Sequence, residues 1–507
     1  MFIKRDQIEK RKRRILNRLE NSSSIDRGRP MFSPGSSCFE LSDRIQAMNY
    51  GGIGAIHQFA RNIGLIREID RELHLLKFHA PYHESDHVMN FAYNALCNGT
   101  CLEDIELRRN DEVFLNALGT ERIPDPTTAG DFCRRFTEHD VKTLMNVFDK
   151  IRLKVWERQD AKFFSEARID MDGTMVSTTG ECKEGMDISY KGVWGYHPLL
   201  ISLANTGEVL RIVNRSGNRP SHEGAATQVA QVIKLCHKAG FEKIFLRGDT
   251  DFTQTTKLDE WSDDEAVRFV FGMDATDNLK ILADDLPDYA WKTLERSARY
   301  EVKTEPRTRP KNVKKEVVKQ REYENIVLQE ETVAEFEYSP VACKKNYRVV
   351  VVRKDVSHEK GQSRLFEDYR YFFYITNDRD QSAAEIVFEA NNRCDQENLV
   401  SHLKSGVRAF TAPVDSLVSN WAYVVMTSLA WNLKAWMALW PKVQGRWKDK
   451  HLAEQQEVLR MEFKRFVNQF ILIPCQVLRQ GRRLIYRLLN WTPGLFFFRR
   501  FLVSQNE

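Results

Sequence analysis

Glu166-Ala167-Arg168-Ile169-Asp170-Met171-Asp172-Gly173-Thr174 is the stretch whose reading decides the fold. Glu166–Met171 reads as a short strand, and Asp172-Gly173-Thr174 stops it. Asp170 and Asp172 are two residues apart, so on a strand they face the same side. Downstream, Tyr196–Leu203 and Glu208–Asn214 bracket Asn205-Thr206-Gly207, which predicts a hairpin. A helix follows over Gly224–Ala239, closed by Gly240. Glu242–Arg247 reads as a strand ending at Gly248-Asp249, Phe252–Trp261 as a helix and Val267–Phe271 as another strand. Three strands, a helix, a strand, a helix and a strand describe an α/β domain with a mixed sheet, placed here at 158–295.

The pattern is interrupted over 296–369, which carries Pro306, Pro310 and strand-like Tyr347–Val352. This stretch reads as an inserted β-rich subdomain. Tyr369–Ile375 resumes as a strand, Asn377-Asp378 stops it, and Ala383–Lys404 reads as one long helix, so 370–410 returns to the α/β core. Upstream, helical spacing of Ile53, Ile56, Phe59, Ile63 and Ile66, and of Met89, Phe91, Ala92, Leu96 and Leu102, predicts a helical domain over 41–157. Residues 1–40 read as a poorly ordered basic arm, and 411–507 as a helical, basic C-terminal region.

Three acids stand where a phosphodiester-cleaving enzyme of this architecture needs them. Asp172 ends the first strand, Asp249 ends the strand after the first helix, and Glu397 lies on the long helix. Ligand-binding groups gather at the carboxyl ends of strands in α/β sheets. A pair of Mg²⁺ ions serves both ends of an in-line displacement and takes a few hard oxygen ligands. Arg393, Glu397 and Lys404 are spaced by four and seven residues, so they share a helix face that combines a metal ligand with two phosphate-binding cations. Asp172 is preferred over Asp170 and Asp249 over Asp251 as ligands, with Asp170 in reserve.

Charge supports a polyanionic partner. The 507-residue chain has a net charge of only +5, yet the charge is clustered. One basic run covers residues 4–18 and another 303–321, the latter holding Lys314 and Lys315. Lys442 to Arg500 contains 13 basic and 4 acidic residues. Separate basic stretches suit a nucleic acid contacted at several points. Arg134 and Arg135, late in the N-terminal helical domain, are further candidates for phosphate contact. No apolar run reaches the ~18–20 residues of a membrane span. Trp421–Trp440 carries Asn432 and Lys434 and reads as a buried helix. Nine scattered cysteines without a Cys-x2-Cys pair read as reduced thiols, and no secretory signal opens the chain, so a cytoplasmic location is expected.

The contexts of the three acids resemble those of the DDE transposases of bacterial insertion sequences. Arg393-x3-Glu397-x6-Lys404 resembles the signature helix of the insertion-sequence-four-like superfamily. Asp170-Met171-Asp172-Gly173-Thr174, Arg247-Gly248-Asp249-Thr250-Asp251-Phe252 and Phe269-Val270-Phe271-Gly272 are similar to motifs of its thirteen-eighty group. So are Leu107-Arg108-Arg109-Asn110-Asp111, Pro124–Phe136 and Leu429-Ala430-Trp431-Asn432-Leu433. Ala390 departs from the pattern, because the wider superfamily often has there a tyrosine that contacts DNA rather than metal.

The resemblance covers roughly residues 45–435. It implies a ribonuclease-H-like core with a β-rich insertion, and Asp172, Asp249 and Glu397 as catalytic metal ligands for Mg²⁺, with Mn²⁺ as a substitute. It also implies terminal inverted repeats and target DNA as partners, and a homodimer that pairs two ends. Arg393, Lys404, Arg134, Arg135, Lys314 and Lys315 are the expected DNA contacts. The residues alone also admit a DNA-binding derivative that does not cut, and a nuclease of the same fold without strand transfer. A glycosidase with paired carboxylates is disfavoured by the basic runs. His197 and His222 lie between the first two acids and receive no role. Trp194, Trp261 and Trp291 are conceivable base-stacking residues, although packing is the commoner use of tryptophan.

Overall fold

The quoted stretch forms β1, Ala167–Gly173, inside a nine-stranded sheet of the computed structural model. The structure describes residues 3–20, 37, 39, 45–189, 191–295, 326–327, 331–355, 358–359, 362–363, 369–481 and 483–505. In chain order the remaining strands are β2 Leu199–Leu203, β3 Glu208–Val213, β4 Ile244–Gly248 and β5 Val267–Met273. They continue with β6 Lys292–Thr293, β7 Glu331–Tyr338, β8 Tyr347–Asp355 and β9 Tyr369–Thr376. The spatial order is β6-β7-β8-β9-β5-β4-β1-β2-β3. β1, β4 and β5 run parallel to one another, and every other neighbouring pair is antiparallel.

The local sequence explains this sheet. β2 and β4 are buried along their whole length, as expected for strands covered on both faces. The β2–β3 hairpin turns at Gly207, whose φ of +72° is the left-handed conformation that glycine adopts without penalty. Within the stretch read as an inserted β subdomain, β7, β8 and the start of β9 add directly to the main sheet, whereas Ile326–Val327, His358–Glu359 and Gln362–Ser363 form a small separate sheet. β8 pairs along its length with both β7 and β9, and β9 pairs with β5. Alternating Val349 and Val351 on one face of β8, with Val350 and Val352 on the other, are all buried, so this extension has two covered faces.

Among the helices, those that bear on the site and its support are α1 Arg5–Glu20, α2 Glu84–Leu96, α3 Glu138–Trp156, α4 Ala225–Ala239, α5 Ala383–Asn392, α6 Cys394–Ser401 and α7 Leu417–Leu439. α7 is buried nearly all round and no helix among the described residues is long and apolar enough to cross a membrane. A helix apolar on every side belongs in the centre of a large protein. Its polar residues serve the edge strand β3. The Asn432 amide accepts from Val209 N at 2.9 Å and donates to Val209 O at 3.0 Å. The Trp421 and Trp431 indoles donate to Ile212 O and Gly207 O. α7 thereby satisfies backbone groups that an open sheet edge leaves unpaired. Beneath it, Glu208 is fully buried and accepts from Arg152 and from the indoles of Trp156 and Trp436.

Three segments differ from the sequence reading. The arm expected to be poorly ordered contains α1, and Ile8 is buried in the main core while Arg499 donates to Ile3 O. Ile3 packs against the same core, and Arg11 donates to Asn490 O, so α1 is held beside the helix Leu495–Ser504. The tail expected to be helical also contains the hairpin Cys475–Gln480 and Arg483–Leu488, which pairs with Ala47–Met48. Finally, the expected single helix over Ala383–Lys404 is divided: α5 ends at Asn392, Arg393 caps it, α6 follows, and a π-helical turn covers His402–Gly406. The described cysteines are free thiols.

Candidate active site

β1 and β4 lie side by side in parallel, with Asp170 opposite Arg247 in the register. Asp172 follows Asp170 by two on the same face of β1, and Asp249 follows Arg247 by two, one residue past the end of β4, where it caps the next turn. The two layers have different characters. Asp170 is buried and its two oxygens accept from Arg247 Nε at 2.7 Å and Nη2 at 2.9 Å. Arg247 also reaches Glu389 on α5 at 3.0 Å. This buried ladder ties two strands to the helix that leads toward Glu397. Asp170 is therefore consumed in an ion pair, which leaves Asp172 as the strand-end carboxylate.

Asp172 sits in a different field. Burial raises its carboxyl pKa to about 6, Arg393 opposes the rise, and the charges of Asp249 and Glu397 add to it. Asp249 is also raised, first by burial, with Arg393 again opposing and Asp251 adding. Arg393 Nη1 lies 3.9 Å from Asp249 Oδ2. The chain thus brings Asp172, Asp249, Glu397 and Arg393 within electrostatic reach of one another, with three acids against one cation.

α6 reaches this place through Gln396, which is buried. Its amide donates to Leu200 O at 3.3 Å and accepts from Ser202 Oγ, docking α6 on β2. Leu200 is the register partner of Asp172, so this docking sets α6 beside the end of β1, and the exposed Glu397 lies within electrostatic reach of Asp172. Lys404, in the π turn, donates to Met175 O at 2.6 Å. Burial lowers its pKa and Asp172 pulls it back up.

The floor of the site is tight. A Cβ on Gly173 would fall 2.7 Å from His197 Nε2 and 3.0 Å from Ser221 Oγ. His197 is buried, its Nδ1 lies 2.8 Å from Arg219 O, and burial lowers its pKa. A carbonyl partner requires Nδ1 to carry the proton, so Nε2 faces Gly173 as an acceptor.

Other predicted contacts are placed elsewhere. Arg134 pairs with Asp131 at 2.8 Å and Asp415 at 2.9 Å, so its charge is already offset within the protein. Arg135 is exposed. Lys314 and Lys315 lie outside the described residues. Trp261 is buried, Trp291 is covered by the Arg353 guanidinium at 4.1 Å, and Trp194 is exposed.

Sequence reasoning overlooked Arg247, Glu389 and Gln396 as positioning residues. The signal for Arg247 was available: it precedes Asp249 by two, as Asp170 precedes Asp172 by two. Parallel pairing of the two strands then matches base with acid.

The donor set fits a divalent metal. Two aspartates and a glutamate are hard oxygen ligands, and burial, with repulsion from Asp249 and Glu397 added, raises Asp172 in a way that a cation among them would offset. The sequence family described as "Transposase DDE domain group 1" matches residues 46–504. The chain belongs to this family. DDE transposases are DNA-cleaving and strand-transferring enzymes, and the DDE acids give the family its name. No curated protein matches the sequence. Among solved structures, the chain is similar to the piggyBac transposase in a cryo-EM synaptic complex with hairpin DNA. The identity is 11%, with 82% of this chain and 81% of that chain covered at a TM-score of 0.34.

Proposed function

We propose that this DDE-family chain is a DNA transposase of the bacterial insertion-sequence kind, close to the thirteen-eighty group of the insertion-sequence-four-like superfamily. In this reading it acts in the bacterial cytoplasm on nucleoid DNA. The observation that carries the reading is the shared field of Asp172, Asp249 and Glu397 around Arg393, in a chain matched by the DDE family over residues 46–504. The strand order β3-β2-β1-β4-β5, with β1, β4 and β5 parallel, supports a ribonuclease-H-like core to which β9, β8, β7 and β6 are added.

Asp172, Asp249 and Glu397 would hold Mg²⁺, with Mn²⁺ able to substitute. Bound there, a pair of ions supplies activation of a water or 3′-hydroxyl and stabilisation of the leaving oxygen. The protein's own contributions are positional and electrostatic. Arg393 offsets the repulsion among the acids and presents a guanidinium fork to a phosphate. Lys404, held by Met175 O, supplies a second cation on the side of Asp172. The Asp170–Arg247–Glu389 ladder fixes the spacing of β1, β4 and α5. The N-terminal helical region, 41–157, and the basic C-terminal region bind the terminal inverted repeats and target DNA. Pairing two ends calls for a homodimer.

The test is cleavage and joining of a labelled duplex that carries the element's own terminal repeat, in Mg²⁺ or Mn²⁺. Asp172→Ala, Asp249→Ala and Glu397→Ala are each expected to abolish cutting while end binding persists. End binding by the wild type without a nick in either metal would overturn the catalytic reading and leave a DNA-binding derivative. Cutting without joining would reduce it to a nuclease.

A further inference from the structure

The helix Leu65–Glu72 is joined to α2 by a loop that returns on itself so that His79 and His83 stack, with ring centroids 4.4 Å apart and planes 9° from parallel. Both histidines are exposed, whereas Glu84, the first residue of α2, is buried. Glu84 Oε1 accepts from Leu75 N at 2.9 Å and Leu76 N at 3.0 Å. Its Oε2 lies 3.0 Å from His79 Nε2. One ligand atom from each of His79, His83 and Glu84 falls within 4.8 Å of the others.

We propose that His79, His83 and Glu84 form a zinc site, separate from the catalytic acids, that clamps this loop to the start of α2.

The chemistry of the donors selects the ion. Two imidazoles and one carboxylate match the His₂Glu set of a Zn²⁺ centre, and water completes the tetrahedron on the exposed side. Mg²⁺ and Ca²⁺ prefer oxygen donors and gain little from two imidazoles. The carboxylate is organised in advance. Two backbone amides fix Oε1, which orients Oε2 toward His79, as outer-shell hydrogen bonds orient metal ligands elsewhere. Around a tetrahedral ion with ~2.0 Å bonds the ligand atoms stand about 3.3 Å apart. The 4.8 Å cluster therefore has to contract by about 1.5 Å, and the two exposed rings supply that movement by turning out of their stack. The ion takes the place of the His79–Glu84 hydrogen bond, with the neutral imidazole presenting its Nε2 lone pair and carrying its proton on Nδ1.

The experiment uses the full chain carrying Asp172→Ala and Asp249→Ala, so that the catalytic acids do not take up metal. After chelation and dialysis, Zn²⁺ is titrated by calorimetry, and Co²⁺ uptake is followed by visible absorption. One Zn²⁺ per chain is expected, and Co²⁺ is expected to give the intense bands of a tetrahedral ion. Adding His79→Ala or His83→Ala should lower the affinity at least ~10-fold and remove those bands, with circular dichroism unchanged. Failure of the parent to bind Zn²⁺ overturns the proposal. So does equal affinity and stoichiometry in the variant lacking both histidines, which would place the ion elsewhere, for example at the exposed Cys182.

Discussion

Arg393 Nη1 stands 3.9 Å from Asp249 Oδ2, and the same guanidinium lowers the pKa of Asp172 as well as that of Asp249. One cation thus serves both strand-end aspartates. Arg393→Ala is expected to raise both carboxyl pKa values, so protons compete better with the proposed metal for the two carboxylates. The acid limb of the cleavage pH profile should move to higher pH, and the maximal rate should fall about 10²-fold as a phosphate partner is lost. Arg393→Lys should recover part of the pH shift, because charge persists, but less of the rate, because the fork does not. An unchanged acid limb in the alanine variant would mean that Arg393 does not govern the titration.

Asp172 bears on stability as well as chemistry. Its folded-state pKa is raised from 3.8 to about 6, so the native protein holds a proton there that the unfolded chain has already released. The stability associated with that proton is present below about pH 4 and is lost as pH rises through 6. Asp172→Asn should therefore stabilise the metal-free protein at pH 7 by on the order of 1–3 kcal/mol while abolishing cleavage. The gain should vanish near pH 3–4. Urea unfolding of both proteins across pH in a chelator checks the sign, and a destabilised variant at pH 7 would refute the account.

Asp170 predicts the opposite. It is buried and holds Arg247 with both oxygens, so removing its charge takes from a buried guanidinium its main acid and leaves it Glu389. Asp170→Asn should destabilise the fold by about 3–5 kcal/mol, the usual result of breaking one side of a buried ion pair. Arg247→Met combined with Asp170→Leu should cost less than the sum of the two single changes, because the ion pair is removed together and Glu389 keeps Arg168 at 3.5 Å. Equilibrium unfolding of the two single variants and the double variant measures this coupling. Additive losses would show that the pair is not an energetic unit.

Much of the site was legible because it is written in short-range patterns. Asp172 and Asp249 each end an apolar strand, and Glu397 follows Arg393 by one helical turn, so adjacency in sequence already fixed what each residue is attached to. Less legible was whatever depends on register. The preference for Asp172 over Asp170 rests on its neighbours in the sequence, and the parallel pairing that sets Asp170 beside Arg247 is a separate argument for the same proposal. The division of the Ala383–Lys404 helix at Arg393 was hidden for a similar reason. Its residues are acceptable helix formers, and the break belongs to the docking of α6 through Gln396 onto β2. The C-terminal hairpin was missed because its pairing partner, Ala47–Met48, lies more than 400 residues away and carries no signal of its own. Likewise α1 carries seven basic residues in sixteen, and its contacts with the far end of the chain carry no local signal.

Gly173 tests how closely the site is built. The Asp-Gly-Thr sequence reads as a strand stop, but the geometry gives the glycine a second reason. A Cβ there would come within 2.7 Å of His197 Nε2 and 3.0 Å of Ser221 Oγ. His197 has little room to retreat, since it is buried and its other nitrogen is held by Arg219 O. Gly173→Ala must then either displace the imidazole or shift the end of β1, and with it Asp172. Overpacking of this kind costs about 1–3 kcal/mol. Misplacement of a catalytic ligand by about 1 Å costs on the order of 10²-fold in rate. Cleavage by Gly173→Ala should fall by that factor with end binding intact. His197→Ala in the same chain removes the obstructing ring and should restore a measurable part of the lost rate. If the double variant is no faster than Gly173→Ala, the ring is not what the glycine avoids, and the close approach of Ser221 becomes the remaining cause.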